Sequence, residues 1–259
     1  MVLNSNKKIL ALFALFVILF MCTILLPPIP VSEEYHQFAD SRSCLGIPNF
    51  GDVISNMFFL MFGVMGLVTV AGKSGKKLFL EKYHSWPYLS FFCAVVVISF
   101  GSTYYHLNPS NERLYLDRAP ILIGFLCLFA AFTADRVDQR GTIFVFFPFL
   151  LAIGVGALFW DLRQMSTGGD LRFYGLLQVY TFITLPLVCW LFPNCRYTSN
   201  YHMYLILGWY ALAKFCELYD KLIFESLAGL ISGHTVKHAV ASLAIYTVII
   251  MLRKHNVRS

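Results

Sequence analysis

Charge is what this sequence has least of. Only 13% of its 259 residues are Asp, Glu, Lys or Arg, while 58% are hydrophobic, and the mean hydropathy is +0.66. A soluble domain carries roughly 25% charged residues, so that class is excluded and a polytopic membrane chain remains. The net charge of +6 does not point to nucleic acid, because the basic residues form no cluster on one soluble face. CxxC spacing is absent too. Cys22, Cys44, Cys93, Cys127, Cys189, Cys195 and Cys216 mostly sit in apolar runs, which indicates neither a disulfide framework nor a thiolate zinc site. Linkers, low-complexity tracts and a second soluble domain are also missing.

What is present is a series of apolar runs of the length that crosses a bilayer as a helix, about 20 residues. They fall at 9–27, 53–71, 86–106, 118–134, 141–160, 171–192, 203–224 and 234–252. The sequence therefore predicts an all-α integral membrane protein, a seven-transmembrane-helix bundle with one additional N-terminal helix. An even count puts both termini on one side, and lysine and arginine should be richer on the cytoplasmic side. With the N terminus inside, the inner segments hold Lys7, Lys8, Lys73, Lys76, Lys77, Lys82, Arg136, Arg140, Arg196, Arg253, Lys254 and Arg258. The outer segments hold only Arg42, Arg113, Arg118, Arg163 and Arg172, which supports cytoplasmic termini. Lys7 and Lys8 before an apolar stretch resemble a secretory signal, but "LLPPIP" ends the stretch without an A-x-A site, so the expectation is an uncleaved anchor. Residues 1–30 then form the anchor, 40–252 the seven-span unit and 253–259 a cytoplasmic tail.

Ionisable groups inside spans are costly and mark functional interiors. In this topology they share one depth, near the outer leaflet. Ser102 and His106 end one span, Asp117 opens the next, His234 and His238 open the last, and Glu217 and Asp220 lie in the outer third of the span before it. Asp52, Ser55 and Asn56 start another span there. In "GHTVKH", His234 and His238 are i and i+4, so both imidazoles project from one helix face. An isolated pair of this kind arises often by chance. His106 at the same depth makes it a three-nitrogen set with a fourth position open, the arrangement of catalytic zinc, which supplies hydroxide at neutral pH. Ser102, one turn deeper on the face of His106, could donate to a developing oxyanion. Asp117 could act as general base or could orient an imidazole. Asp52, Asn56, Glu217, Asp220 and Lys237 are candidates to support these ligands or touch substrate. Lys214 with Glu217 reads as a buried ion pair between helices, and Lys237 as a side chain snorkelling to the interface. His36, His84, His202 and His255 fall in loops or tails and are expected to be solvated, and "IFVFFPFLL" reads as lipid-facing bulk.

These residues carry a resemblance. "SxxxH" at Ser102 to His106, Asp117 followed by "RAP", "HxxxH" at His234 to His238, "SN" at Ser55 and Asn56, and the spacing from Asp220 to "ESL" resemble the alkaline ceramidases. That family belongs to a superfamily of seven-span metal-dependent hydrolases that also includes adiponectin-type receptors. The resemblance covers roughly residues 40–252, and "GIPNF" is similar to the bacterial members, favouring a bacterial inner membrane over the eukaryotic secretory pathway. It implies zinc held by His106, His234 and His238, with Ser102 and Asp117 assisting hydrolysis of ceramide, or of another lipid amide, to a sphingoid base and a fatty acid. The family's acidic, tryptophan-containing calcium segment has no counterpart. "DSRSCLGIPNFGD" offers only Asp40, Asn49 and Asp52, which argues against Ca2+ regulation. Rival expectations are a lipid-responsive receptor with structural zinc and no turnover, and an ion transporter. The transporter fits poorly because the polar groups gather at one face and no inverted repeat is visible. Haem fits worse, since two histidines on one helix face cannot serve as opposite axial ligands.

Overall fold

The computed structural model describes residues 4–72 and 78–255. Lys73, Lys76, Lys77 and Arg258 of the charge balance lie outside the described residues, as does the His255 side chain. The long helices are α1 (Ser5–Leu25), α2 (Phe50–Ala71), α3 (Trp86–Leu107), α4 (Asn111–Arg136), α5 (Gln139–Arg163), α6 (Arg172–Leu191), α7 (Asn200–Leu218) and α8 (Gly233–His255). Helix is the economical choice in hydrocarbon because it satisfies every backbone group within the segment. Seven helices among the described residues are long and apolar enough to cross a membrane. The chain is thus an all-α, multi-pass membrane protein.

The expected span 203–224 differs most from its helix. α7 has 19 residues, and its Asn200, His202, Lys214 and Glu217 leave it less apolar than the seven. It ends before Tyr219, and a separate short helix, Asp220–Ser226, follows. Asp220 therefore lies beyond the span that the hydropathy pattern assigned it. Its Oδ1 accepts from the His234 backbone N–H at 2.7 Å and its Oδ2 from Ala39 N–H at 2.9 Å, so it ties the start of α8 to the segment before α2. α4 also starts earlier than its apolar run. The Ser110 hydroxyl accepts from Arg113 N–H at 3.3 Å, and this cap carries the helix outward by about two turns, placing Asp117 inside it.

The core lies between α3, α4 and α8, where Phe92, Leu122, Phe132, Val248 and Ile249 are fully buried. α1 is peripheral: 6% of its apolar window is buried, against 39–56% for the other six spans. It leans on α6, with Lys8 Nζ donating to the Leu191 carbonyl and Tyr180 Oη to the Leu12 carbonyl. The phenylalanine-rich stretch of α5 splits between two environments. Phe144, Val145 and Phe149 face outward, while Ile143, Phe147 and Leu150 are buried, so only half of it is lipid-facing.

Two of the histidines expected in solvent are buried at the end of the bundle away from Ser102 and His106. His84 Nδ1 meets Tyr197 Oη at 3.0 Å, and His202 is 8% exposed. The apolar aromatic packing of the connecting segments encloses them. His36 is half-buried at the other end, its Nδ1 at 2.9 Å from Tyr105 Oη and its Nε2 at 3.1 Å from Asn111 Oδ1.

Asp170 ties the segment after α1 to the α5–α6 turn. It accepts from Ile29 N–H at 3.3 Å, from Trp160 Nε1 at 2.8 Å and from the Arg172 guanidinium at 2.8–3.0 Å. Burial alone would raise its pKa, but the donors from Arg172, Trp160 and the Arg172 and Ile29 backbone outweigh burial and hold it at about 2. The folded value lies below the unfolded one of about 3.9. Its stabilising contribution is therefore complete above about pH 4 and lost as pH falls towards 2. Asp170→Asn, which gives up that contribution at every pH, is expected to lower the unfolding midpoint in detergent at neutral pH and to flatten its decline below about pH 4. An acid limb as steep as wild type would show that the carboxylate is not linked to folding.

Candidate metal centre and its cavity

Three elements bring the histidines together. α3 delivers His106 in its last turn and α8 delivers His234 and His238 in its first two, while α2 supports them from the side. The rings form a near-equilateral triangle: His106 to His234 is 4.8 Å between centroids, His106 to His238 is 5.1 Å, and His234 to His238 is 5.0 Å. All three are buried, and one ligand nitrogen from each lies within 4.8 Å of the other two. This group could hold a metal ion.

The hydrogen-bond inventory tests that fit. Neither ring nitrogen of His106 has a protein partner, although the residue is fully buried. A buried imidazole so placed is costly unless something else takes a lone pair. His238 is oriented. Ser55 Oγ donates to the Asp52 carbonyl at 3.0 Å and lies 2.8 Å from His238 Nδ1. The hydroxyl has one proton, already committed, so Nδ1–H must be the donor to it, leaving the Nε2 lone pair free as a ligand. His234 Nε2 lies 2.8 Å from Lys237 Nζ. An ammonium only donates, so this nitrogen also carries a lone pair, for which the lysine and a metal ion compete.

Lys237 does not snorkel. Its ammonium bridges His234 and Glu217 Oε1, the latter at 2.9 Å, because α7 presents a carboxylate within reach of it. Glu217 also binds Lys214. That pair lies within one helix and its lysine is exposed, so the Lys237–Glu217 bridge is the one that joins α7 to α8. Asp52 and Asn56 are buried beside the site. Asp52 Oδ1 accepts from Thr235 Oγ1 at 2.6 Å and from Ser232 Oγ at 3.3 Å, and Asn56 Nδ2 donates to the Asp52 carbonyl at 2.9 Å. Asp52 fastens α2 to the start of α8, Asn56 bonds only to the backbone of its own helix, and neither lines the cavity described below.

Ser102 is buried one turn below His106, facing Asp117 across the α3–α4 contact. Gly101 allows that contact: a Cβ there would lie 2.3 Å from the Leu116 carbonyl oxygen. Ser102, Asp117, Glu217, Lys237 and His238 line one end of a cavity of about 490 Å³. Its walls continue through Ile98, Val95 and Phe91 on α3, Ile121, Phe125 and Leu128 on α4, and Ile245 and Val248 on α8. From Ser102 to Phe91, or Asp117 to Leu128, is 11 residues, which at about 1.5 Å each makes an apolar slot of about 16 Å.

The segment between α1 and α2 closes the site end. Phe38 lies 4.7 Å from both the His106 and His234 rings. Asn49 Nδ2 donates to the His106 carbonyl at 2.8 Å, and Arg42 clasps Asp40 while donating to the Leu230 carbonyl at 3.0 Å. Sequence reasoning missed Phe38 and Tyr35, because an aromatic in a loop carries no periodicity. It placed Ser55 at the right depth without a role, for which the three-residue spacing from Asp52 was the available signal.

Compared with known proteins, the chain matches no family model and no curated protein.

Two outcomes follow from the geometry. Ser55→Ala removes the partner that fixes His238 and should weaken metal affinity about 10–100-fold, measured by competition with a chelator. An unchanged affinity would mean that Ser55 does not orient the ligand. Gly101→Ala should cost about 1–3 kcal/mol by forcing α3 from α4, read as a lower unfolding midpoint in detergent. A variant as stable as wild type would show that the two helices are not in contact there.

Proposed function

We propose that this chain is a zinc-dependent intramembrane amidase that hydrolyses ceramide or a similar lipid amide to a sphingoid base and a free fatty acid. The observation that carries the reading is one cavity with a hydrolytic polar end and an apolar slot: His238, Ser102 and Asp117 at its head, aliphatic and phenyl side chains along its length. Such a shape accepts an acyl chain and brings its amide to the polar groups. The all-nitrogen ligand set favours zinc, which when bound would supply a Lewis acid and a nucleophile at neutral pH.

The chain's own residues would do the rest. The acyl chain lies in the slot between α3, α4 and α8, which excludes water from everything but the head. Ser102 donates to the carbonyl oxygen as negative charge develops on it. Asp117 accepts the proton released as water oxygen bonds to the carbonyl carbon, and returns it to the amide nitrogen as the C–N bond breaks. Ser55 holds His238 in the tautomer that leaves Nε2 towards the site. We place both termini in the cytoplasm and the histidines near the outer leaflet, from the lysine and arginine balance, with a bacterial inner membrane as the host.

Metal content by mass spectrometry on detergent-purified protein, with turnover of ceramide alongside, tests this. Wild type should carry about one zinc per chain, and His238→Ala should lose both zinc and turnover. Asp117→Asn should keep zinc and lose about 10²–10⁴ in kcat. Turnover that persists in His238→Ala would falsify the zinc-dependent mechanism, and no turnover of any lipid amide by zinc-loaded wild type would sink the amidase reading. Zinc and lipid bound without turnover in wild type would leave a receptor with structural zinc.

A further inference from the structure

Arg118 is the one cation at the cavity head, among the described residues, with no carboxylate within 4.0 Å of it. Three positive groups line this cavity, Arg118, Lys214 and Lys237, with two carboxylates, Asp117 and Glu217. Glu217 is shared by both lysines. Asp117 precedes Arg118 on the helix, about 100° away around its axis, and faces Ser102. The guanidinium instead lies over the Tyr35 ring at 4.9 Å and near the Tyr174 ring at 6.0 Å. Tyr35 comes from the closing segment and Tyr174 from α6, so the side chain is held between two elements. Tyr35 also takes a side-chain hydrogen bond from Arg118, and stacking uses the guanidinium's faces, so the remaining edge donors are left for a ligand.

A half-buried arginine fixed beside a cavity, with donors to spare, is a site for an oxyanion. The cations lining the head outnumber its carboxylates, three to two, and a guanidinium edge pairs two N–H donors with the two oxygens of a carboxylate. We infer that Arg118 anchors a carboxylate, and that the lipid amide taken by this cavity carries that carboxylate on its amine side, as an N-acyl amino acid does. This deepens the lipid-amide reading above and rests on it. The acyl chain would occupy the slot, the amide would lie at Ser102 and Asp117, and the carboxylate beyond it would meet Arg118.

Equilibrium binding to the full chain in nonionic detergent tests the anchor separately from turnover, using N-oleoylglycine, its neutral counterpart N-oleoylethanolamine, and oleate, with ligand integrity checked afterwards. Wild type should bind N-oleoylglycine at least about tenfold tighter than the neutral amide, and Arg118→Gln should erase that preference while holding the neutral amide as wild type does. No preference in wild type, or a preference that survives in Arg118→Gln, overturns the anchor. Oleate bound as tightly as N-oleoylglycine, with the same dependence on Arg118, assigns the carboxylate to the released fatty acid and overturns the headgroup inference. Should Arg118→Gln also lose the neutral amide, Arg118→Lys decides: its charge without the stacked fork should retain only part of the preference, and a full preference would count against Arg118. Preference for the acid without hydrolysis of any amide would leave the anchor standing and overturn the amidase. Hydrolysis of neutral ceramide with no preference would do the reverse.

Discussion

A polar group left unpaired in hydrocarbon costs several kcal/mol, and one end of this bundle gathers more polar groups than any membrane helix needs. Most of them satisfy one another. Asp52 takes Thr235 and Ser232, Ser55 takes His238, Asp220 takes two backbone N–H groups, and Glu217 takes Lys237. These bonds hold α2 against α8 and α7 against α8, so the arrangement of these three helices depends on them. Both nitrogens of His106 stay without a protein partner at the centre, as do Asp52 Oδ2 and Asn56 Oδ1. The surrounding network fixes the imidazoles in place, and the unspent lone pairs are what an ion would use.

Packing below the histidines turns this polar end into a site with direction. Gly101 lets α3 approach the α4 backbone, which puts Ser102 against Asp117 rather than against lipid. Further down, apolar side chains of these two helices and of α6, α7 and α8 line the slot. Above, Phe38 closes over two of the rings, and Asp220 pins the neighbouring Ala39 to the start of α8. A ligand in the slot would therefore meet the polar groups end on.

Much of the architecture was legible in the sequence because hydropathy is additive along a chain. The apolar runs give the spans, and the i, i+4 spacing places His234 and His238 on one face whatever surrounds them. The shared depth of His106, Ser102 and Asp117 followed from the same count. The errors have a common origin in polar groups that compete with hydropathy. Ser110 capped α4 earlier than its apolar run began, Asp220 fell past the end of α7, and Lys237 found Glu217 instead of the interface.

Sequence alone thus determined that the chain is a helical membrane protein and that its chemistry-bearing residues lie at one level, since length, periodicity and polarity are local properties. Tertiary structure decided which of them meet. The triangle of rings, the tautomer of His238 set by a serine 183 residues away, the α3–α4 approach at Gly101 and the stacking of Arg118 between Tyr35 and Tyr174 all depend on how helices distant in sequence rotate about their axes. No local pattern encodes that rotation, because it is set by the packing of all the faces at once.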